Sequence, residues 1–195
     1  MNFLAHFHLA WPDDELIAGG LEGDYFKGPL KGQLPAGIER GVQLHRAIDG
    51  YTDRHPAVEA ARGEFQGGLR RYAGILIDLS FDHFLSKHWD QFAELELPDF
   101  NSGIYRSLGQ QRELLSPNAQ RMHARLVEHD LLGLYQQWET VPASAARIGT
   151  RFRRENPFTA IDDELDLRRE RLEQAFLDFY PDLVKFAQLQ REKLN

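Results

Sequence analysis

Residues 72–92 read YAGILIDLSFDHFLSKHWDQF. On a helical wheel this stretch is apolar on nearly every side, and such a helix belongs in the middle of a bundle. One of its faces nevertheless carries Asp78 and Asp82, four residues apart, among Ile75, Leu79 and Trp89. An ionised carboxylate buried without a partner is costly, and two side by side repel until one holds a proton. Either a divalent cation between them or a paired arginine removes the difficulty.

The same pattern recurs upstream. A helix over about 36–52 places Ile38, Val42, His45, Asp49 and Thr52 on one face, so His45 and Asp49 point toward the core with the aliphatic residues. A hydrogen bond within the helix is the plainer account of that pair taken alone. At the start of the chain, FLAHFHLAW carries His6 and His8, which face different ways in a helix two residues apart. His6, following a core-like run, is the better candidate for a shared site. His83 is turned about 100° from Asp82 and suits a group supporting a ligand or an acid facing substrate. His55, His123 and His129 sit in polar surroundings and read as surface residues.

The rest of the chain is also helical in pattern. Residues 1–11 are apolar, and Pro12, Asp13 and Asp14 mark the start of a second helix. That helix should fade in the segment GGLEGDYFKG, where Asp24 sits and backbone can approach a ligand closely. The Gly, Pro and Asp cluster at 96–103 reads as a loop. Segments 111–139 and 159–180 read as amphipathic helices, with Pro181 expected to kink or end the last one. Strand signals are poor. The expectation is an all-α, single-domain helical bundle over 1–195.

Composition narrows the function classes. The chain has 195 residues, 42% hydrophobic and 27% charged, as in ordinary globular proteins. No cysteine is present, which removes disulfides, zinc–thiolate sites and a cysteine nucleophile, and fits a reducing cytoplasm. No signal peptide or membrane span is expected. The net charge of −7 argues against a nucleic-acid partner. Neither GxxxxGK[ST] nor GxGxxG occurs. Histidine with carboxylate and no sulfur suits Mn²⁺, Fe²⁺ or Mg²⁺, ions that promote phosphate-ester hydrolysis.

Four segments in order, MNFLAHFHLA, GDYFKG, LHRAIDGYTDRHP and DHFLSKHW, resemble the acyl carrier protein phosphodiesterase (acyl carrier protein hydrolase) family. The resemblance is strong over the first half of the chain and returns loosely around FLDFYPDL. It implies an all-helical, divalent-metal-dependent enzyme similar to the His-Asp metal phosphohydrolases, with manganese the usual metal. The implied reaction hydrolyses the phosphodiester joining 4′-phosphopantetheine to a serine of holo-acyl carrier protein, by a metal-activated water. The family motifs fall on His6, Asp24, His45, Asp49, Asp53, Asp78, Asp82 and His83. Residues 82–83 read Asp-His where the superfamily is named for His-Asp, so its ligands cannot be copied in order.

The resulting assignment takes His6, Asp24, His45 and Asp82 as metal ligands. Asp24, Asp49, Asp78 and His83 are the catalytic candidates, with His83 or His6 protonating the leaving serine. An acidic carrier protein calls for local positive charge. Arg46, Arg70 and Arg71 are the chosen substrate contacts, beside the groups Arg151/Arg153/Arg154 and Arg168/Arg169/Arg171. Competing readings are a metal-dependent phosphodiesterase or phosphatase acting on a nucleotide or other small phosphate ester, and a non-catalytic helical binding protein.

Overall fold

The computed structural model describes residues 1–153 and 155–194, except the side chain of Thr159. Arg154, from the Arg151/Arg153/Arg154 group, lies outside the described residues. These contain no strand. The α-helices are α1 Phe3–Ala10, α2 Asp14–Glu22, α3 Ala36–Thr52, α4 Pro56–Gly63, α5 Ala73–Lys87, α6 Leu97–Gln110, α7 Pro117–Glu128, α8 Leu131–Leu134, α9 Thr140–Gly149, α10 Asp162–Asp166 and α11 Arg169–Leu194.

Helix α5 is the central one. Leu76, Ile77, Phe81, Phe84 and Leu85 are all buried around its circumference. It packs on α1, α4, α9 and α11, and one contiguous cluster of buried side chains runs from Met1 to Ala187. Helix α3 occupies the span read from the sequence, with Ile38, Val42 and His45 facing inward.

Helix α2 starts where its signals place it. The Asp13 carboxylate accepts hydrogen bonds from the backbone N–H of Glu15 and Leu16, and the acids of the first turn complement the helix dipole. It runs through Gly19 and Gly20 and ends at Glu22, within the glycine-rich segment as expected. A Cβ on Gly19 would lie 2.3 Å from the Ile38 carbonyl oxygen and 2.5 Å from the Gly41 Cα. The glycines cost about 1 kcal/mol each in helix propensity, but they bring the backbones of α2 and α3 into contact.

Two expectations are corrected and a third is narrowed. The cluster at 96–103 begins helix α6, because Pro98 and Asp99 occupy its first turn, a position that suits proline and acids as well as a loop does. The stretch 111–139 is divided among a 3₁₀ turn, α7 and α8, with Asp130 in the left-handed conformation at the break. Pro181 does not end the last helix. α11 runs through it, with Phe179, Tyr180, Leu183 and Ala187 buried on both sides, so packing outweighs one lost backbone hydrogen bond. No described helix is long and apolar enough to cross a membrane.

Candidate metal centre

Three helices bring the central residues together. α1 supplies His6, and α3 supplies His45 and Asp49 one turn apart. The two imidazole rings stack with centroids 4.0 Å apart and planes inclined by 15°. His6 Nε2 lies 3.2 Å from Asp49 Oδ1, and His45 Nε2 lies 3.2 Å from Asp49 Oδ2. Asp24, just beyond α2, places Oδ1 3.9 Å from His45 Nε2. The ring of His45 rests against the end of α2. Its Cγ would be 2.4 Å from a Cβ on Gly23. The glycine-rich segment thus admits a histidine ring.

The donor set fits a divalent cation. Both imidazoles are buried, and Nδ1 of each has no hydrogen-bond partner among the described residues. Buried polar atoms are rarely left so. Ionisation states agree. Burial, with His45 close by, lowers His6 to about 4, so its ring is neutral at pH 7. Burial pushes Asp49 up, but the two imidazoles and the Met1 amine hold it well below the usual carboxylate range. Neutral imidazole beside carboxylate is the state that binds metal.

The remaining acids have other partners. The α-amino group of Met1 lies 2.9 Å from Asp78 Oδ1 and 3.8 Å from Asp49 Oδ1. Burial lowers the proton affinity of that amine, but the acids around it prevail and raise it to about 10. Asp82 is completely buried. Its Oδ2 accepts the Leu4 N–H at 2.7 Å and its Oδ1 the Ala5 N–H at 3.3 Å, so it caps α1 from a distant helix. Burial raises it to about 7 against those two donors. Neither Asp78 nor Asp82 pairs with an arginine among the described residues. Their partners are an amine and a helix N-terminus, and Asp82 stands outside the His6–His45–Asp49 group.

Other sequence candidates are also placed elsewhere. His83 is directed to the Tyr135 carbonyl, 2.8 Å from Nδ1, and packs edge-on to Trp138. His8 is held between the Tyr180 hydroxyl and the Phe92 carbonyl. Asp53 pairs with Arg62. Arg46 donates to the Phe26 carbonyl at 2.9 Å, which ties down the segment after Asp24. Arg70 and Arg71 are exposed, with the Arg71 guanidinium over the Tyr72 ring. His123, read as a surface residue, is buried beside the Tyr105 carbonyl.

A cavity of about 300 Å³ borders Asp24 and is walled by side chains of α7, α8 and α9. Arg70 and Arg71 are not in its lining, whereas Arg125, Arg147 and Arg151 are.

A family model described as acyl carrier protein phosphodiesterase matches residues 1–183. The chain belongs to the acyl carrier protein phosphodiesterase family. It is 33% identical over 189 residues to the acyl carrier protein phosphodiesterase of Klebsiella pneumoniae subsp. pneumoniae, covering 96% of this chain and 98% of the relative. The Yersinia pestis acyl carrier protein phosphodiesterase is 31% identical with the same coverage. That of Escherichia coli O6:H1 is 31% identical over 192 residues, covering 96% of this chain and 97% of the relative. No solved structure matches the chain.

Within this acyl carrier protein phosphodiesterase family member, sequence reasoning passed over the Met1 amine, Tyr135 and Arg125. An α-amino group carries no motif. Tyr135, whose hydroxyl accepts from Asn2 Nδ2 at 2.7 Å, sits in a stretch read as one plain helix. Arg125 is a lone arginine outside every basic group singled out from the sequence.

Proposed function

We propose that His6, His45 and Asp49, with Asp24 at their edge, are the reacting centre of a phosphodiesterase that releases 4′-phosphopantetheine from holo-acyl carrier protein. The family hydrolyses that linkage, and this chain is a phosphodiester hydrolase of that family. The observation that carries the site assignment is the stacked imidazole pair converging on one carboxylate.

His6, His45 and Asp49 would hold a divalent cation, Mn²⁺ being our choice, with Fe²⁺ or Mg²⁺ compatible with the same donors. Such an ion supplies Lewis acidity toward a phosphoryl oxygen and makes water nucleophilic at neutral pH. The protein's part is positional. Asp49 fixes both imidazoles, and the Met1 amine and Asp78 orient Asp49 from behind. Asp24, partly open to solvent, faces the cavity and is placed to accept a proton from attacking water. Burial pushes its carboxyl upward while His45 opposes, which suits a base.

The leaving serine needs a proton, and no cavity-facing histidine supplies one. His83 points to a backbone carbonyl, so we assign protonation of the product to solvent or to Asp24 after it has accepted a proton. We retain as proposals a single domain, kinship with the His-Asp metal phosphohydrolases and action in the cytoplasm.

Incubation of the full chain with holo-carrier protein and Mn²⁺, read by intact mass, tests the reaction. Loss of the phosphopantetheine arm supports it. An unchanged mass, with metal demonstrably bound, overturns it in favour of a small phosphate ester.

A further inference from the structure

We propose that Arg125, Arg147 and Arg151 form a phosphate clamp beside the metal centre, and that the cavity they border seats the amide-bearing chain attached to that phosphate. This rests on the phosphodiesterase reading above and adds the residues that recognise the arm.

The first observation is where unmatched positive charge lies. Four arginines elsewhere meet carboxylates, Arg40 with Glu15, Arg62 with Asp53, Arg168 with Glu164 and Arg171 with Glu64, and Arg46 and Arg191 meet backbone carbonyls. Arg125, from α7, Arg147, from α9, and Arg151, just past α9, make no side-chain hydrogen bond or ion pair with any described residue. All three nevertheless line one cavity. Guanidinium groups that share one cavity lining repel one another, and an anion seated among them relieves that repulsion with bidentate hydrogen bonds.

The second observation is position. Asp24 and Tyr25 lie in the wall of the same cavity, and Asp24 Oδ1 is 3.9 Å from His45 Nε2. Tyr25 shares that lining with Arg125 and Arg151. The cationic end of the cavity therefore adjoins the residue next to Asp24. An anion held there stands at the threshold of the imidazole pair.

The third observation is shape and lining. At about 300 Å³ the cavity is at the small end of ligand sites. It admits a narrow chain and excludes a folded domain. Its walls are apolar at Phe3, Leu79, Leu131 and Leu134, with hydroxyl groups from Thr140 and Ser144. Apolar walls with a few hydroxyls suit a chain of methyl, methylene and amide groups. A phosphate-headed, amide-bearing chain matches both ends.

The test is calorimetric binding of 4′-phosphopantetheine and of pantetheine to the full chain, with Mn²⁺ and after chelation. Chelation separates the arginines' share from the metal's. We expect the chelated protein to prefer the phosphorylated ligand, and Arg125→Gln, Arg147→Gln and Arg151→Gln each to weaken that ligand by roughly tenfold. Pantetheine affinity should stay the same in all three. Circular dichroism melts establish that the variants fold.

Several results overturn the clamp: no binding of 4′-phosphopantetheine to the wild type, unchanged affinity in all three variants, or equal losses for both ligands. A loss confined to whole holo-carrier protein also overturns it, because the arginines would then be reading the carrier's acidic surface. These measurements require no turnover. A wild type that binds the ligand but leaves holo-carrier protein intact therefore defeats the reaction reading and spares the clamp.

Discussion

His45 lies against Gly23 so closely that a single Cβ at position 23 would fall 2.4 Å from its Cγ and 2.6 Å from its Cδ2. Gly23 has φ −54° and ψ −32°, a conformation open to any residue. Alanine there thus tests the contact alone, without backbone strain. Gly23→Ala should push the His45 ring out of its stack with His6. Overpacking of this kind costs about 1–3 kcal/mol. We expect a lower melting temperature together with at least a tenfold loss in kcat/KM on holo-carrier protein. An unchanged kcat/KM would show that the ring position is not critical.

Removal of a donor should strip the cation. His6→Ala, His45→Ala and Asp49→Ala are each expected to lower activity by at least ~100-fold, since even the outer partners of metal ligands account for about 10–100-fold. Metal content by elemental analysis should fall with activity. In the wild type, added Mn²⁺ at about 100 times its Kd should raise unfolding stability by about 2.7 kcal/mol, and His45→Ala should abolish that gain. A full metal complement in all three variants would refute the ligand set.

Asp82→Ala addresses a different question. It leaves the N–H groups of Leu4 and Ala5 without the carboxylate that receives them. Each unsatisfied buried donor costs about 1–3 kcal/mol, so urea denaturation should show a loss of at least ~2 kcal/mol. The residual folded protein should still bind Mn²⁺. Loss of metal with unchanged stability would return Asp82 to the ligand set.

The two histidines of α1 give stability a definite pH dependence. Burial lowers His8, with the Phe92 carbonyl opposing, and burial lowers His6 to about 4. Both folded values lie below the unfolded value of 6.5. Between those values the unfolded chain binds more protons than the folded one, so stability is fully present above pH 6.5 and is lost as pH falls. Asp82, raised by burial to about 7, opposes this slope as pH falls through that value, so urea melts of chelated protein from pH 8 to pH 4.5 should show the histidine share as a difference between wild type and variant. His8→Gln can donate to Phe92 and accept from Tyr180 as the neutral ring does, so it should remove the His8 share of the slope. An equally steep slope in that variant would contradict the assignment.

Arg46 serves as a tether in this structure. Arg46→Ala should free the segment after Asp24 by removing its bond to the Phe26 carbonyl. We expect roughly a two- to tenfold rise in KM with little change in kcat, the effect of one hydrogen bond from a charged group. A fall in kcat alone would place Arg46 in the chemistry.

What the sequence made legible follows from distance along the chain. His45 and Asp49 are one helical turn apart, so their common face was readable from spacing. The capping of Asp13 and the extent of α3 were readable for the same reason. The partners of Asp78 and Asp82 were not, because they are an amine and two backbone N–H groups about 77 residues earlier, and backbone groups leave no mark in composition. Helix α6 was misread because Pro98 and Asp99 suit a loop and a helix N-terminus equally. Gly19 and Gly23 pointed correctly to close approach but not to what approaches, which is a neighbouring helix in one case and an imidazole in the other.

Helix α1 is held at both ends by residues far away in sequence. Asp82 grips its first turn, and Arg191 donates to the Leu9 and Trp11 carbonyls at its last, at 3.4 and 2.7 Å. Eight residues alone are too few to stay helical, so the aim of His6 is set by the middle and the far end of the chain. The recognisable motifs crowd into the first half, yet that half is not portable. Grafted onto another scaffold or cut free of α11, it would carry the donor residues without the vice that keeps them aligned.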